Sequence, residues 1–452
     1  MLYPWFGILL LLSVLGAVMV LLKQTGVRCS LHPETSRKTV HIVMGLATLS
    51  FPWLFNETWP VLLLTLLAVA ALAGTRLIKP LREHFGGVLN GVERHSLGEV
   101  YFPLSVMSLY LLSGGNRLMY VIPLLTLTLA DAVAALVGVR YGRHRYSTSE
   151  GTKSAEGSLA FFLAAFLSAY VPLLLLSNAG RAESLLISLV LGVLVMLFEA
   201  VSVGGLDNLF IPLGCYALLR RYLDMGADEL MLRLGAICLL ALLVFCWRRR
   251  TTLKESGLLA AALVGYMNWA LGGWQWLAVS LVLFLTYTLL WPRSEDNCHP
   301  VHTVRAVVSA AAPGMLWLFA AVHTGMSFLA PFTVAYASHS VMIGLTQLGY
   351  TRPEMSSRQR LLQSVTRSWL AFLPFFFLPA VAAWNIDLRQ MTSGLLSAAT
   401  SLPLLFAAGV LQQQLAWRYG DEDIGYGRWL RRGVVALAVS LASWIFCKTC
   451  LI

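Results

Sequence analysis

The polar positions of this chain fall between long apolar runs that recur from one end to the other. Runs of about 18 residues or more can each cross a hydrocarbon core about 30 Å thick. Roughly sixteen hydrophobic segments can be counted, several of them short. Lipid offers the backbone no hydrogen-bonding partner, so such segments satisfy themselves as helices. The pattern predicts an all-α, polytopic helical membrane protein with its segments in two halves. The first segment, roughly Trp5–Leu22, has no basic residue before it and no small-residue cleavage site after it. It reads as a retained span and not as a signal peptide.

Composition agrees with this pattern. The chain is 58% hydrophobic and 12% charged, against about 25% charged in soluble domains. A formal charge of +11 would suit nucleic acid if it were clustered on a soluble face. Here the basic residues lie between spans, where the positive-inside rule accounts for them and no nucleic-acid partner is needed. Lys23, Arg28, Arg37 and Lys38 follow the first segment, and Arg76, Lys79, Arg82 and Arg94 follow the third. Arg140, Arg143, Arg145 and Lys153 follow the fifth, and Arg248, Arg249, Arg250 and Lys254 follow the ninth. Arg352, Arg358, Arg360 and Arg367 come after the thirteenth, and Arg428, Arg431 and Arg432 precede the last. Every second loop is therefore basic, which makes those loops cytoplasmic and puts the N-terminus outside. Arg220 and Arg221 are the main exception, and the short segment 208–219 before them is a candidate re-entrant element. The cluster WRRRTTLKES (247–256) marks a boundary between a domain at 1–250 and a second membrane domain at 251–452.

The seven cysteines show no metal-site spacing. Cys447 and Cys450 form a lone C-x-x-C at a helix end, with no second pair to complete a zinc site. Glu295-Asp296 and Asp421-Glu422-Asp423 read as solvated loops.

The candidate chemistry lies at one set of helix ends. The stretch DAVAALVGVRYGRHRYSTSEGTKSAEGS (131–158) places Asp131 at the end of an apolar run. Gly138, Arg140, Gly142, a basic loop, Lys153 and a helix start at Ser154, Glu156, Gly157 and Ser158 follow it. An acid in a span is costly unless it faces protein, water or a cation. Mg²⁺ takes carboxylate and phosphate oxygens together, and a lysine adds a point charge for phosphate. The amides of the helix start could hold phosphate oxygens, and the glycines would allow close backbone approach. Upstream, Arg37, Lys38 and His41 open the second segment within one turn of each other, and Glu99 opens the fourth. Downstream, Glu199 ends the seventh segment, and Gly204-Gly205 leads to Asp207 and Asn208 before Pro212. Asp131, Glu199 and Asp207 thus reach one interface from different helices and are the candidate metal ligands.

Four blocks carry a family resemblance: RKTVHIVMG (37–45), GEVYFPL (98–104), DAVAALVGVRYG with KSAEGS (131–158), and EAVSVGGLDNLFIPL (199–213). Together they resemble the CTP-dependent polyprenol kinases, which include dolichol, phytol and farnesol kinases. KSAEGS is closer to the phytol-kinase version. The resemblance implies transfer of the terminal phosphate of CTP to an isoprenoid alcohol at a cytoplasm-facing site with Mg²⁺. Phosphoryl transfer needs alignment and charge neutralisation, which on these residues gives metal at Asp131, shared with Asp207 and Glu199, and catalytic roles for Asp131, Lys153, Glu99 and Glu156. Phosphate contacts fall to Arg37, Lys38, His41, Gly138, Arg140, Gly142, Ser154, Gly157, Ser158 and Asn208. Residues 252–287 are weakly similar to the start of the phytyl-phosphate kinases. That family's acidic block is replaced here by AYASHSVMIGLTQLG (335–349), so the second half reads as a degenerate partner module.

The expected partners are an isoprenoid alcohol, a nucleoside triphosphate and membrane lipid, with a homodimer open. The expected location is a bacterial inner membrane or a plastid membrane. Three alternatives stay open on these residues: a CTP-dependent cytidylyltransferase making a CDP-lipid, a lipid transporter, and a silent scaffold. Transporters place polar residues near the midplane on broken helices, whereas here they gather at one face.

Overall fold

The structure is a computed structural model that describes residues 4–29, 33–77, 98–148, 151–247, 255–291, 304–379, 388–419 and 426–450. The boundary cluster at 248–254 and the acidic patches at 295–296 and 421–423 lie outside the described residues, as does the side chain of Arg37. The chain divides into two compact units, Met1–Leu242 and Leu243–Ile452.

The first unit runs α1 (Pro4–Cys29), α2 (Pro33–Leu49), a short α3 (Phe51–Leu54), α4 (Trp59–Leu77), α5 (Gly98–Ser113) and α6 (Arg117–Tyr141). A hairpin of β1 (Arg145–Thr148) and β2 (Gly151–Ser154) follows. The unit ends with α7 (Ala155–Leu176), α8 (Arg181–Val201), α9 (Asp207–Tyr222) and α10 (Ala227–Trp247), whose last turn passes the boundary between the units. In the second unit come α11 (Glu255–Met267), α12 (Trp274–Leu285), α13 (Val304–Thr324), α14 (Leu329–Thr351), α15 (Ser357–Phe372), α16 (Leu388–Tyr419) and α17 (Tyr426–Cys450). Among the described residues, seven helices are long and apolar enough to cross a bilayer: α6, α7, α8, α10, α13, α16 and α17. The chain is an all-α membrane protein. The hairpin departs from the expected basic loop; it pairs Arg145 with Ser154 and Tyr146 with Lys153.

The ends of the first unit are set by tyrosines. The Tyr110 hydroxyl donates to Phe55 O at 2.8 Å, so the turns at 55–58 and 113–116 share one end. The Tyr120 hydroxyl donates to Thr48 O at 2.8 Å, which sets α2 antiparallel to α6. Gly45 is needed at their crossing, since a Cβ there would collide with the Thr128 side chain. α9 lies parallel to α5: Asn208 Nδ2 donates to Gly98 O at 2.9 Å near their starts, and the Tyr216 hydroxyl donates to Leu112 O at 2.8 Å near their ends. The candidate re-entrant segment is therefore one continuous helix reaching the far end, despite Pro212 inside it. Pro212 is tolerated because neighbouring helices bury it and membrane helices re-satisfy the freed carbonyl locally.

This arrangement gives a topology test. A cysteine at Glu57 or Gly115 is expected to label with an impermeant maleimide in intact cells, and a cysteine at Arg143 only after permeabilisation. Strong labelling at Arg143 in intact cells would reverse the orientation.

Candidate functional site

One end of the first unit collects the start of α5, the end of α6, the hairpin, the start of α7, the end of α8 and the start of α9. Three tight connections bring these ends together. α6 ends at Gly142, whose N–H donates to Gly138 O at 3.1 Å. The hairpin then delivers the chain to Ser154, whose Oγ accepts from Gly157 N at 3.1 Å and caps α7. Between α8 and α9, Gly204 and Gly205 sit at φ 68° and 83°, which favours glycine at both.

The glycines at 138, 142 and 157 have a packing duty. A Cβ on Gly157 would lie 3.1 Å from Ala134 O and 3.3 Å from Gly138 Cα, and one on Gly142 would lie 2.8 Å from Ser154 Cβ. They let α6 and α7 approach backbone to backbone, which holds Asp131 on α6 near the β2 strand that carries Lys153.

Two ion pairs occupy the site. Lys38 Nζ donates to Asp131 Oδ2 at 2.5 Å, joining α2 to α6 across 93 residues of sequence. Lys38 is only 5% exposed, so its ammonium has few routes to water. His41 Nε2 lies 3.7 Å from the same carboxylate oxygen, and its ring meets Phe102 edge-on at 5.2 Å between centroids. Lys153 Nζ donates to Glu199 Oε1 at 2.7 Å and to Glu199 O at 2.6 Å, joining the hairpin to the end of α8. Asp207 lies within electrostatic reach of Asp131, Lys38 and Lys153, and its Oδ1 is buried with no hydrogen-bond partner. Glu199 in turn feels Asp131 and Asp207. Lys38 and Lys153 thus face three carboxylates, those of Asp131, Glu199 and Asp207.

The other candidates fall into three settings. Glu99 is half-buried in the first turn of α5, beside the Gly98 carbonyl that Asn208 holds. Asn208 therefore braces α9 against α5. Glu156 clamps the turn before the hairpin: its carboxylate accepts from Arg143 N at 3.1 Å and His144 N at 3.2 Å, and it pairs with His144 Nδ1 at 2.7 Å. The Ser158 hydroxyl meets the Tyr146 hydroxyl at 2.6 Å, tying β1 to α7. Arg140, Arg143 and Arg145 are exposed at this end. Tyr146 and His144, which hold the hairpin, lie outside the expected set; the one signal for the strand pair is Gly151, at φ 135°.

Among the described residues no three His, Cys, Asp or Glu side chains are gathered as a metal cage. Mg²⁺ does not require one, because it keeps waters and takes one or two carboxylates together with substrate phosphates. The orphaned Asp207 Oδ1 beside Asp131 fits that mode.

The sequence is 35% identical over 218 residues to the phytol kinase of Synechocystis sp. (strain ATCC 27184 / PCC 6803 / Kazusa), a match covering 46% of this chain and 88% of the relative. The chain belongs to the polyprenol and phytol kinase family. No protein-family model matches the sequence, and no solved structure matches it.

Proposed function

We propose that the first unit is a membrane kinase that transfers the terminal phosphate of CTP to an isoprenoid alcohol, at an end that faces the cytoplasm. The observation that carries this reading is the charge arrangement: two lysines, each held by a carboxylate, beside a third carboxylate with a buried unpartnered oxygen. Metal and triphosphate together match both halves of such a site. The ammoniums of Lys38 and Lys153 would bind phosphate oxygens, and the carboxylates of Asp131 and Asp207 would hold the cation. Mg²⁺, when bound, supplies neutralisation of the phosphate oxygens.

Phosphoryl transfer mostly needs alignment and charge stabilisation. Lys153, on the hairpin, and Lys38, on α2, come from different elements and can clamp the phosphates from two sides. Glu99, at the same end, orients the alcohol or accepts its proton. Glu156 acts one step away, by holding the turn that presents Arg143 and Arg145. The prenyl tail lies against apolar faces of the spans with its hydroxyl at headgroup level, which is why the chemistry sits at helix ends. On this reading the chemistry belongs to residues 1–250, and residues 251–452 supply none of it.

The test is product analysis on purified protein with CTP or ATP and farnesol, geranylgeraniol, phytol or a long polyprenol. The expected products are CDP and a prenyl monophosphate. Pyrophosphate with a CDP-lipid would make the protein a cytidylyltransferase instead, and equal rates with ATP would remove the CTP assignment.

A further inference from the structure

The second unit carries a cationic cleft for which the chemistry above has no use. It lies where α14 ends and α15 begins, with a volume of about 640 Å³. It is open to the outside and is lined by Arg352, Arg367, Gln359, Gln363 and Thr366 together with Met355 and Leu362. No carboxylate lines it. Between Asp296 and Asp387 the sequence has five arginines and a single acid, Glu354. Among the described residues neither Arg352 nor Arg367 is in an ion pair.

Of the remaining polar groups Gln359 is set as a donor, while the Gln363 carbonyl oxygen is buried without a partner. Gln359 Oε1 accepts from Ser356 N at 3.0 Å in a capping box, which leaves its NH₂ for another acceptor. Arg367 spends one Nη1 hydrogen on Leu290 O at 3.4 Å, which anchors the side chain and leaves most of its fork unspent. Guanidinium forks match the oxygens of a phosphate better than ammonium groups do, and basic clefts at the ends of membrane helices hold lipid head groups. Leu362 is 57% exposed beside these arginines. An uncovered leucine next to two cations suits a ligand with an anionic head and a hydrocarbon tail.

We propose that this cleft is a second anion site, which takes a phosphate monoester headgroup between Arg352 and Arg367 with its tail over Met355 and Leu362. Two sources share that chemistry: a prenyl monophosphate, the product under the function proposed above, and a phosphate-bearing lipid of the bilayer. The site itself rests on the cleft alone; only the first source rests on that function.

The test uses full-length protein in detergent, native mass spectrometry to count bound farnesyl monophosphate, and the double variant R352Q/R367Q. The wild type is expected to bind one more equivalent than the variant, at an affinity at least about tenfold above any residual binding in the variant. R352K/R367K is expected to fall between them, since charge is kept and the fork is lost. Unchanged kinase turnover in the double variant shows that it is folded; should the protein have no kinase activity, elution as a single species with wild-type circular dichroism serves that purpose. Displacement by phosphatidic acid in nanodiscs, and not by phosphatidylcholine, would identify the bilayer lipid as the source; retention of farnesyl monophosphate would identify the prenyl phosphate. Equal binding by wild type and double variant, or equal binding of farnesol and farnesyl monophosphate, would overturn the site.

Discussion

Asp131→Asn is expected to lower phosphoryl transfer by at least on the order of 10²–10³-fold while leaving the protein folded. The carboxylate does two things that an amide cannot. It balances the buried Lys38 ammonium at 2.5 Å, and in the proposed reaction it is one of the oxygens offered to Mg²⁺. Asparagine keeps the volume and one acceptor oxygen, so the fold around α2 and α6 survives, at a stability cost of about 3 kcal/mol for the uncompensated Lys38 ammonium. The loss should appear mainly in kcat, and raising Mg²⁺ should recover little, because in the proposed reaction the missing group is a ligand and not merely a charge nearby. Full activity in a purified Asn variant with wild-type elution would remove Asp131 from the site.

Much of this site was legible before the fold was known. Acids within or at the ends of apolar runs are costly, so Asp131, Glu199 and Asp207 stood out, and the order of glycines, lysine and helix start pointed to phosphate. The partners were not legible. Lys38 pairs with Asp131 across 93 residues, and Lys153 pairs with Glu199 across 46. Such pairing depends on which helices touch, and hydrophobic periodicity does not say which. The candidate set therefore held the lysines for phosphate and the acids for metal, without showing that each lysine has a carboxylate against it.

The glycines illustrate a different limit. Close backbone approach was read from Gly138, Gly142 and Gly157, and close approach is found, but to the neighbouring helix. A sequence pattern reports that a Cβ is unwelcome without saying what would meet it. Likewise Asn208 and Ser158 were natural phosphate donors by type, yet they hold Gly98 O and the Tyr146 hydroxyl. The hairpin at 145–154 is not legible in the sequence, because four-residue strands between charged residues give almost no hydrophobic alternation.

Lys153→Ala should have the second large effect, and its partner makes the result interpretable. Glu199 is 14% exposed at its side chain, and among the described residues Lys153 is the cation paired with it, at 2.7 Å. Removing the lysine leaves that carboxylate uncompensated, with a stability cost of up to about 3 kcal/mol, and in the proposed reaction also removes a phosphate contact. A single variant would confuse the two losses. The double variant Lys153→Ala/Glu199→Gln separates them, because it removes the stranded charge and keeps the shape. Thermal stability is expected to return most of the way in the double variant, while the nucleotide KM stays raised and the rate stays low. Lys153→Arg should hold Glu199 and restore only part of the rate, since its planar fork reaches differently from an ammonium. Recovery of full activity together with stability in the double variant would mean that Lys153 serves only to neutralise Glu199 and does not touch the phosphates.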